Sequence, residues 1–306
     1  MLRKPIYALC ADRSRLSKKH PKSGEPDEWF SNHILQGMDL AGISFDFFVN
    51  WRNYSLSDEI WIKRIVRDDV ESWPACSREV IQNALYECDG EAYVRRLADF
   101  AYKQSKTLFY QLFKESKNWD SNGETLAAVE IAKEGTIERV TYYNLDVIKT
   151  RIKDLSGGPV KVGEKGLIYS SSTLECYLSR TDAAWPGDVD LIMVNDRSEP
   201  IALLEFKKHT MEGAIENQKL SNYYPRPDGR KYDRLAILRD NLGKELPFII
   251  VYYPTNTNIK NIKLEKIKGN RGRLTADSHR YCNVPTSEKD MLAIVNTVLE
   301  MADYLD

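Results

Sequence analysis

Two short apolar runs, Val189 to Val194 and Ile201 to Phe206, set the tightest limit on what this chain can fold into. Both are of strand length, and their charges gather at one end. Asp188 and Asp190 open the first, while Glu205, Lys207 and Lys208 close the second. Between them, Asn195-Asp196-Arg197-Ser198-Glu199-Pro200 is a turn-forming mixture, so the segment predicts a β-hairpin. Alternation along a strand puts Glu205 and Lys207 on one face and Ala202, Leu204 and Phe206 on the other. A hairpin returns the end of its second strand to the start of its first. Asp190, Glu205 and Lys207 are therefore expected together at one end of a sheet, where two carboxylates and an ammonium make the parts of a hydrolytic metal site.

Phosphodiester cleavage needs a divalent cation to offset phosphate charge, and Mg²⁺ prefers a few hard oxygen ligands plus water. Asp190 and Glu205 supply such oxygens. Lys207 is placed to orient or activate the attacking water and to stabilise charge developing on the phosphorane. An acid, then Glu205-x-Lys207 with the two acids fifteen residues apart in a strand–turn–strand, resembles the PD-(D/E)xK nuclease superfamily. The resemblance covers roughly residues 145–270, its specific motifs the hairpin alone. It implies a mixed α/β fold with a restriction-endonuclease-like αβββαβ core in the C-terminal half. It also implies Mg²⁺ as cofactor, with Mn²⁺ as a substitute, and DNA ahead of RNA as substrate. Gly187-x-x-Asp190 favours Asp190 as the ligand, and Asp188, close to Pro186, is the alternative or supporting acid. Many members carry a further glutamate on an upstream helix. Glu175, in the capped sequence Ser172-Thr173-Leu174-Glu175, is the candidate and Glu164 its rival. One branch places Gln-x-x-x-Tyr after the lysine, whereas here Gln218 is followed by Asn222, with Tyr223 one place later. The competing reading is a non-catalytic nucleic-acid-binding or interaction protein that retains the fold.

The flanking sequence offers partners for such a core. Apolar residues at Leu145, Ile148, Ile152 and Leu155 predict a helix that Gly157-Gly158 ends. Residues 166–170 are expected to begin a strand, 211–223 a helix, 247–253 a buried strand and 259–267 an edge strand. Residues 223–232 read as a turn-rich loop mixing rings and guanidinium groups. Tyr224, Arg226, Arg230 and Lys231, with Lys208, are its candidates for contact with nucleic acid. Between 259 and 273, six lysines and arginines face only Glu265. That excess suits phosphate contacts or, equally, an edge strand shielded by lysines.

The N-terminal half carries no chemical motif. Helices are expected over 57–71, 77–88 and 91–114, with short strands at 6–10 and 44–51 and an exposed basic loop at 13–26. Residues 118–123 read as a linker, which divides the chain into a mainly helical region, 1–120, and a nuclease-like domain, 121–306, opening on a hairpin at 126–131 and 137–143. Trp29, Trp51, Trp61, Trp73, Phe109 and Tyr110 of the first region are expected in its core and not as a base-stacking platform. No internal repeat is evident. With 44 basic and 45 acidic residues, no global field steers the chain to nucleic acid, so any such surface is local. Five scattered cysteines without Cys-x-x-Cys spacing indicate neither a disulfide framework nor a zinc site, and the four histidines form no ligand pair. His209 follows the Glu-x-Lys strand closely enough to approach the site. With no signal-peptide core or membrane-length apolar run, a soluble cytoplasmic protein is expected. Its expected partners are nucleic acid and a homodimer mate or another protein at the N-terminal region.

Overall fold

A computed structural model describes residues 1–6, 8–10, 25–120, 123–162, 167, 169–210, 213–243 and 245–304. Glu164, Gly166, Met211 and most of the 13–26 loop lie outside the described residues. The chain is mixed α/β and forms two compact units. One comprises Met1–Ser17 and Phe45–Gly187, the other Lys18–Ser44 and Asp188–Asp306. Residues 118–123 join two paired strands within the first unit and do not separate domains.

In the first unit, β3 (Ala41–Asn50, in this unit from Phe45 on) and β4 (Ser55–Val66) form an antiparallel pair, with Asp46 opposite Trp61. Helices α3 (Arg78–Asp89) and α4 (Glu91–Lys103) then lead to β5 (Thr107–Lys114), which lies parallel to β4. A parallel pair needs such a crossover, because a tight turn reverses direction. β6 (Leu126–Ile131) and β7 (Ile137–Tyr143) extend the sheet antiparallel, and β1 (Leu2–Arg3) pairs with the far end of β4. α5 (Leu145–Leu155) follows, with Asn144 capping Val147 N at 3.1 Å. β2 (Ala8–Leu9) and β8 (Tyr169–Ser170) form a separate ribbon beside α6 (Thr173–Leu178). Phe48, Trp61, Ile65, Phe109 and Phe113 pack against Ile148, Ile152, Leu174 and Leu178 of α5 and α6.

Two expectations for this half are corrected. Residues 57–66 are strand, and the helix expected over 91–114 stops at Lys103 before β5. β5 and the stretch Ile60–Ile62 of β4 are buried on both faces, so the period-two signal that separates strand from helix is lost there. The region is consequently not mainly helical. A third correction concerns cysteine. Cys10 and Cys176 form a disulfide across 166 residues of sequence, a pairing that spacing alone does not reveal.

The second unit repeats the same connectivity. β9 (Gly187–Val194) and β10 (Pro200–His209) form the expected hairpin, with Leu204 opposite Leu191. α7 (Gly229–Leu242) leads to β11 (Phe248–Pro254), parallel to β10 with Lys207 opposite Tyr252. β12 (Asn261–Lys268) and β13 (Thr275–Asn283) follow antiparallel, then α8 (Glu288–Met301). One face of this sheet buries Leu191, Met193, Leu204, Ile249 and Val251 under α8 and under α1 (Pro26–Trp29) and α2 (Asn32–Gln36). The other face carries Asp190, Glu205 and Lys207. The helix expected over 211–223 is replaced by two single 3₁₀ turns, at Ile215–Asn217 and Leu220–Asn222, and the crossover helix is α7. β12 is not the edge, since β13 covers it. Lys263, read as one of the cations for phosphate or for shielding an edge strand, is instead buried and paired with buried Glu265 at 3.0 Å.

Candidate active site

The hairpin brings Asp190 and Glu205 to the same end of the second unit's sheet. Asp190 directly precedes the paired residues of β9, and its Oδ2 accepts a 2.6 Å hydrogen bond from the Phe206 backbone N–H. That bond stitches the foot of β9 to the strand carrying Glu205 and Lys207. Glu205 is fully buried. Its Oε1 meets the Lys231 ammonium in an ion pair, while its Oε2 has no hydrogen-bond partner among the described residues. A buried carboxylate in that condition is costly, and such groups tend to be retained for function.

Electrostatics follow from the crowding. Burial pushes the Asp190 carboxyl well above its ordinary value, and the charge of Glu205 pushes it further. Lys231 and the bond from Phe206 only partly offset this. Burial works against the Lys231 ammonium, but Glu205, Asp190 and Asp188 outweigh it and hold its pKa above that of an ordinary lysine. Asp188 is exposed at the start of β9 and acts within the same field.

Lys207 shares the face of Glu205, as alternation requires. Its Nζ donates to Asp228 Oδ2 at 2.6 Å and lies 4.0 Å from the centre of the Tyr223 ring. Asp228 occupies the position before α7 but makes no capping bond there, because its carboxylate is turned to Lys207. Behind Tyr223 runs a buried polar chain. The Tyr223 hydroxyl donates to Gln218 Oε1, and Gln218 Nε2 pairs with His209 Nδ1 at 2.8 Å. His209 is buried, with Nε2 on the Gly213 carbonyl at 2.6 Å, so it supports this chain rather than reaching the acids. The Gln218–Tyr223 bond joins the glutamine to the displaced tyrosine despite the altered spacing.

The remaining candidates fall in different surroundings. Glu175 starts α6 behind its Ser172 cap, as expected, but belongs to the first unit. There its carboxylate is committed to Lys63, Ser170 and Ser171. Tyr224 is buried, its hydroxyl donating to Asp233 Oδ1 at 2.9 Å, so its ring is not a stacking platform. Arg226, Arg230 and Lys208 are exposed. Lys231 stands in the acid cluster and not on a nucleic-acid surface. Sequence reasoning missed that role because it read residues 223–232 as loop. Tyr232, Leu235, Ala236 and Arg239, buried at spacings of three and four, are the helical signal that places Lys231 in a first turn.

Among the described residues, no group of three or more His, Cys, Asp or Glu side chains is disposed to hold a metal ion. The first unit has a pocket of about 390 Å³ lined by Trp119, Asp120, Glu124, Asp146, Lys149 and Tyr177, and none of the predicted site residues lines it. No helix of the described residues is long and apolar enough to cross a membrane. No family model, curated protein or solved structure matches this chain.

Proposed function

We propose that the second unit is a metal-dependent phosphodiesterase acting on nucleic acid, with DNA ahead of RNA. The observation that carries this reading is the crowded acid pair. Glu205 is wholly buried with Oε2 unpartnered among the described residues, and Asp190 beside it resists ionisation. Two hard-oxygen groups in mutual repulsion, close to the exposed Asp188, have the donor chemistry of a Mg²⁺ site. Asp190 and Glu205 would hold the cation, with Asp188 as the supporting acid, and the bound ion would supply charge neutralisation at the phosphate.

The chain's own residues account for the rest of the chemistry. Lys207 Nζ, held over Tyr223 and tethered to Asp228, is kept on the face of the acids, where it can orient water or meet charge on the phosphate. The chain Tyr223–Gln218–His209 fixes the ring beneath it and limits the wandering of a four-carbon stem. Arg226, Arg230 and Lys208 are exposed cations for backbone phosphates.

The second reading, a binding protein that no longer cuts, draws on the Lys231–Glu205 and Lys207–Asp228 ion pairs, which satisfy part of the site without a metal. Titration with Mn²⁺ separates the two. The catalytic reading expects saturable binding that Asp190→Asn and Glu205→Gln abolish and Lys207→Ala leaves in place. No Mn²⁺ binding by the intact chain would leave the binding-protein reading standing.

A further inference from the structure

We infer that Lys231 is the resident counter-cation of the Asp190–Glu205 pair and competes with the divalent metal for it. This rests on the metal-binding reading above. Lys207, the lysine the motif points to, is engaged by Asp228 at 2.6 Å. Lys231, which no motif points to, stands on the buried acid.

The geometry assigns Lys231 a movable place. Glu205 is rigidly held, with its side chain wholly buried in the middle of a sheet, whereas the Lys231 side chain remains 33% exposed. It reaches the acid from the first turn of α7, so withdrawing its ammonium to water requires rotations of its own stem and no backbone change. An ammonium and a divalent cation against the same carboxylate repel strongly in a low-dielectric setting. Metal entry therefore displaces Lys231 from Glu205, and the ion pair is the state the site holds between metal-binding events. The pairing keeps the acids together without metal, and it weakens metal affinity by the contact that must be given up.

The test is Mn²⁺ titration of the full chain, comparing wild type with Lys231→Met, which keeps the stem and removes the charge, and with Lys231→Arg, which keeps the charge. Lys231→Met is expected to bind Mn²⁺ about tenfold more tightly or better, with Lys231→Arg near wild type. In EDTA, Lys231→Met should melt below wild type, and saturating Mn²⁺ should close that gap. Lys231→Gln serves as a second neutral variant should the methionine disturb folding. Equal or weaker Mn²⁺ binding in the neutral variants, with wild type binding normally, overturns the inference and leaves the metal site intact. No Mn²⁺ binding in any variant removes the metal site and the inference together.

Discussion

Asp190→Asn should make the protein more stable while abolishing the metal binding proposed for it. Asparagine keeps the shape and, with its amide turned so that Oδ1 takes the place of Asp190 Oδ2, still accepts the bond from Phe206 N–H. What disappears is a carboxylate that burial and Glu205 both disfavour. The sign follows from linkage. A carboxyl whose folded-state pKa lies above its unfolded value binds protons more tightly when folded. Its contribution to stability is greatest below the unfolded value near 3.8 and is lost as pH rises toward the folded value. Above that range Asp190 is a net cost, which the neutral amide does not incur. Relief of a functional-site conflict of this kind is worth about 1–2 kcal/mol. For a unit of this size that corresponds to roughly 2–8 °C in Tm. Differential scanning calorimetry in EDTA should show wild type and variant converging near pH 4 and separating toward pH 8. Mn²⁺ at about a hundred times its Kd should raise wild type by about 2.7 kcal/mol and leave the variant unmoved. A variant that melts at or below wild type at every pH would show that the two acids are not in conflict.

Other perturbations test the surrounding account. Lys263→Met leaves the buried Glu265 without its ammonium partner, held by the Leu220 N–H at 2.7 Å and the Tyr252 hydroxyl at 3.0 Å, so urea unfolding should show a loss of about 3 kcal/mol. Peptide mapping without reductant should recover Cys10 linked to Cys176, with Cys76, Cys88 and Cys282 as free thiols. Cys176→Ala should cost about 2–5 kcal/mol by thermal or urea unfolding. Trp61→Ala opens a cavity among Phe48, Phe109 and Trp185, and chemical denaturation should report a loss of about 3–5 kcal/mol.

The hairpin was legible because both of its signals were local. Its apolar runs have strand length, and its turn residues sit between them. The same holds for α5 with its Asn144 cap, for α6 with Ser172, and for the hairpin β6–β7. β4 and β5 were not legible. Strands buried on both sides lose alternation, and Ser57 with Glu59 mimics a helix start. The repeated connectivity was also hidden, because it lives in pairing and not in residue identity. One trace of it invites a wrong inference. Asp46 and Lys63 have the same separation as Asp190 and Lys207, and Asp46 pairs opposite Trp61, where the later hairpin has Glu205. Lys63 meets Asp46 at 3.4 Å and also Glu175 on α6, whereas Lys207 pairs with Asp228 and Glu205 with Lys231 at the start of the crossover helix α7. With Trp61 where the later hairpin has Glu205, the second acid of the pair is missing, so equal spacing does not make equal sites. Within the candidate site, alternation placed Glu205 and Lys207 correctly on one face. The partners that decide their state, Lys231 and Asp228, come from the start of α7, which no spacing rule ties to the hairpin.

The central claim, metal-dependent phosphodiester hydrolysis at Asp190, Glu205 and Lys207, is met most directly by a cleavage assay. Single-stranded, duplex, nicked and branched DNA, and RNA, would each be incubated with Mg²⁺, Mn²⁺ or EDTA, with Lys207→Ala alongside. The account predicts cutting that requires the metal and vanishes in Lys207→Ala while that variant still binds Mn²⁺. Cutting in EDTA, or cutting by Lys207→Ala at the wild-type rate, would contradict it.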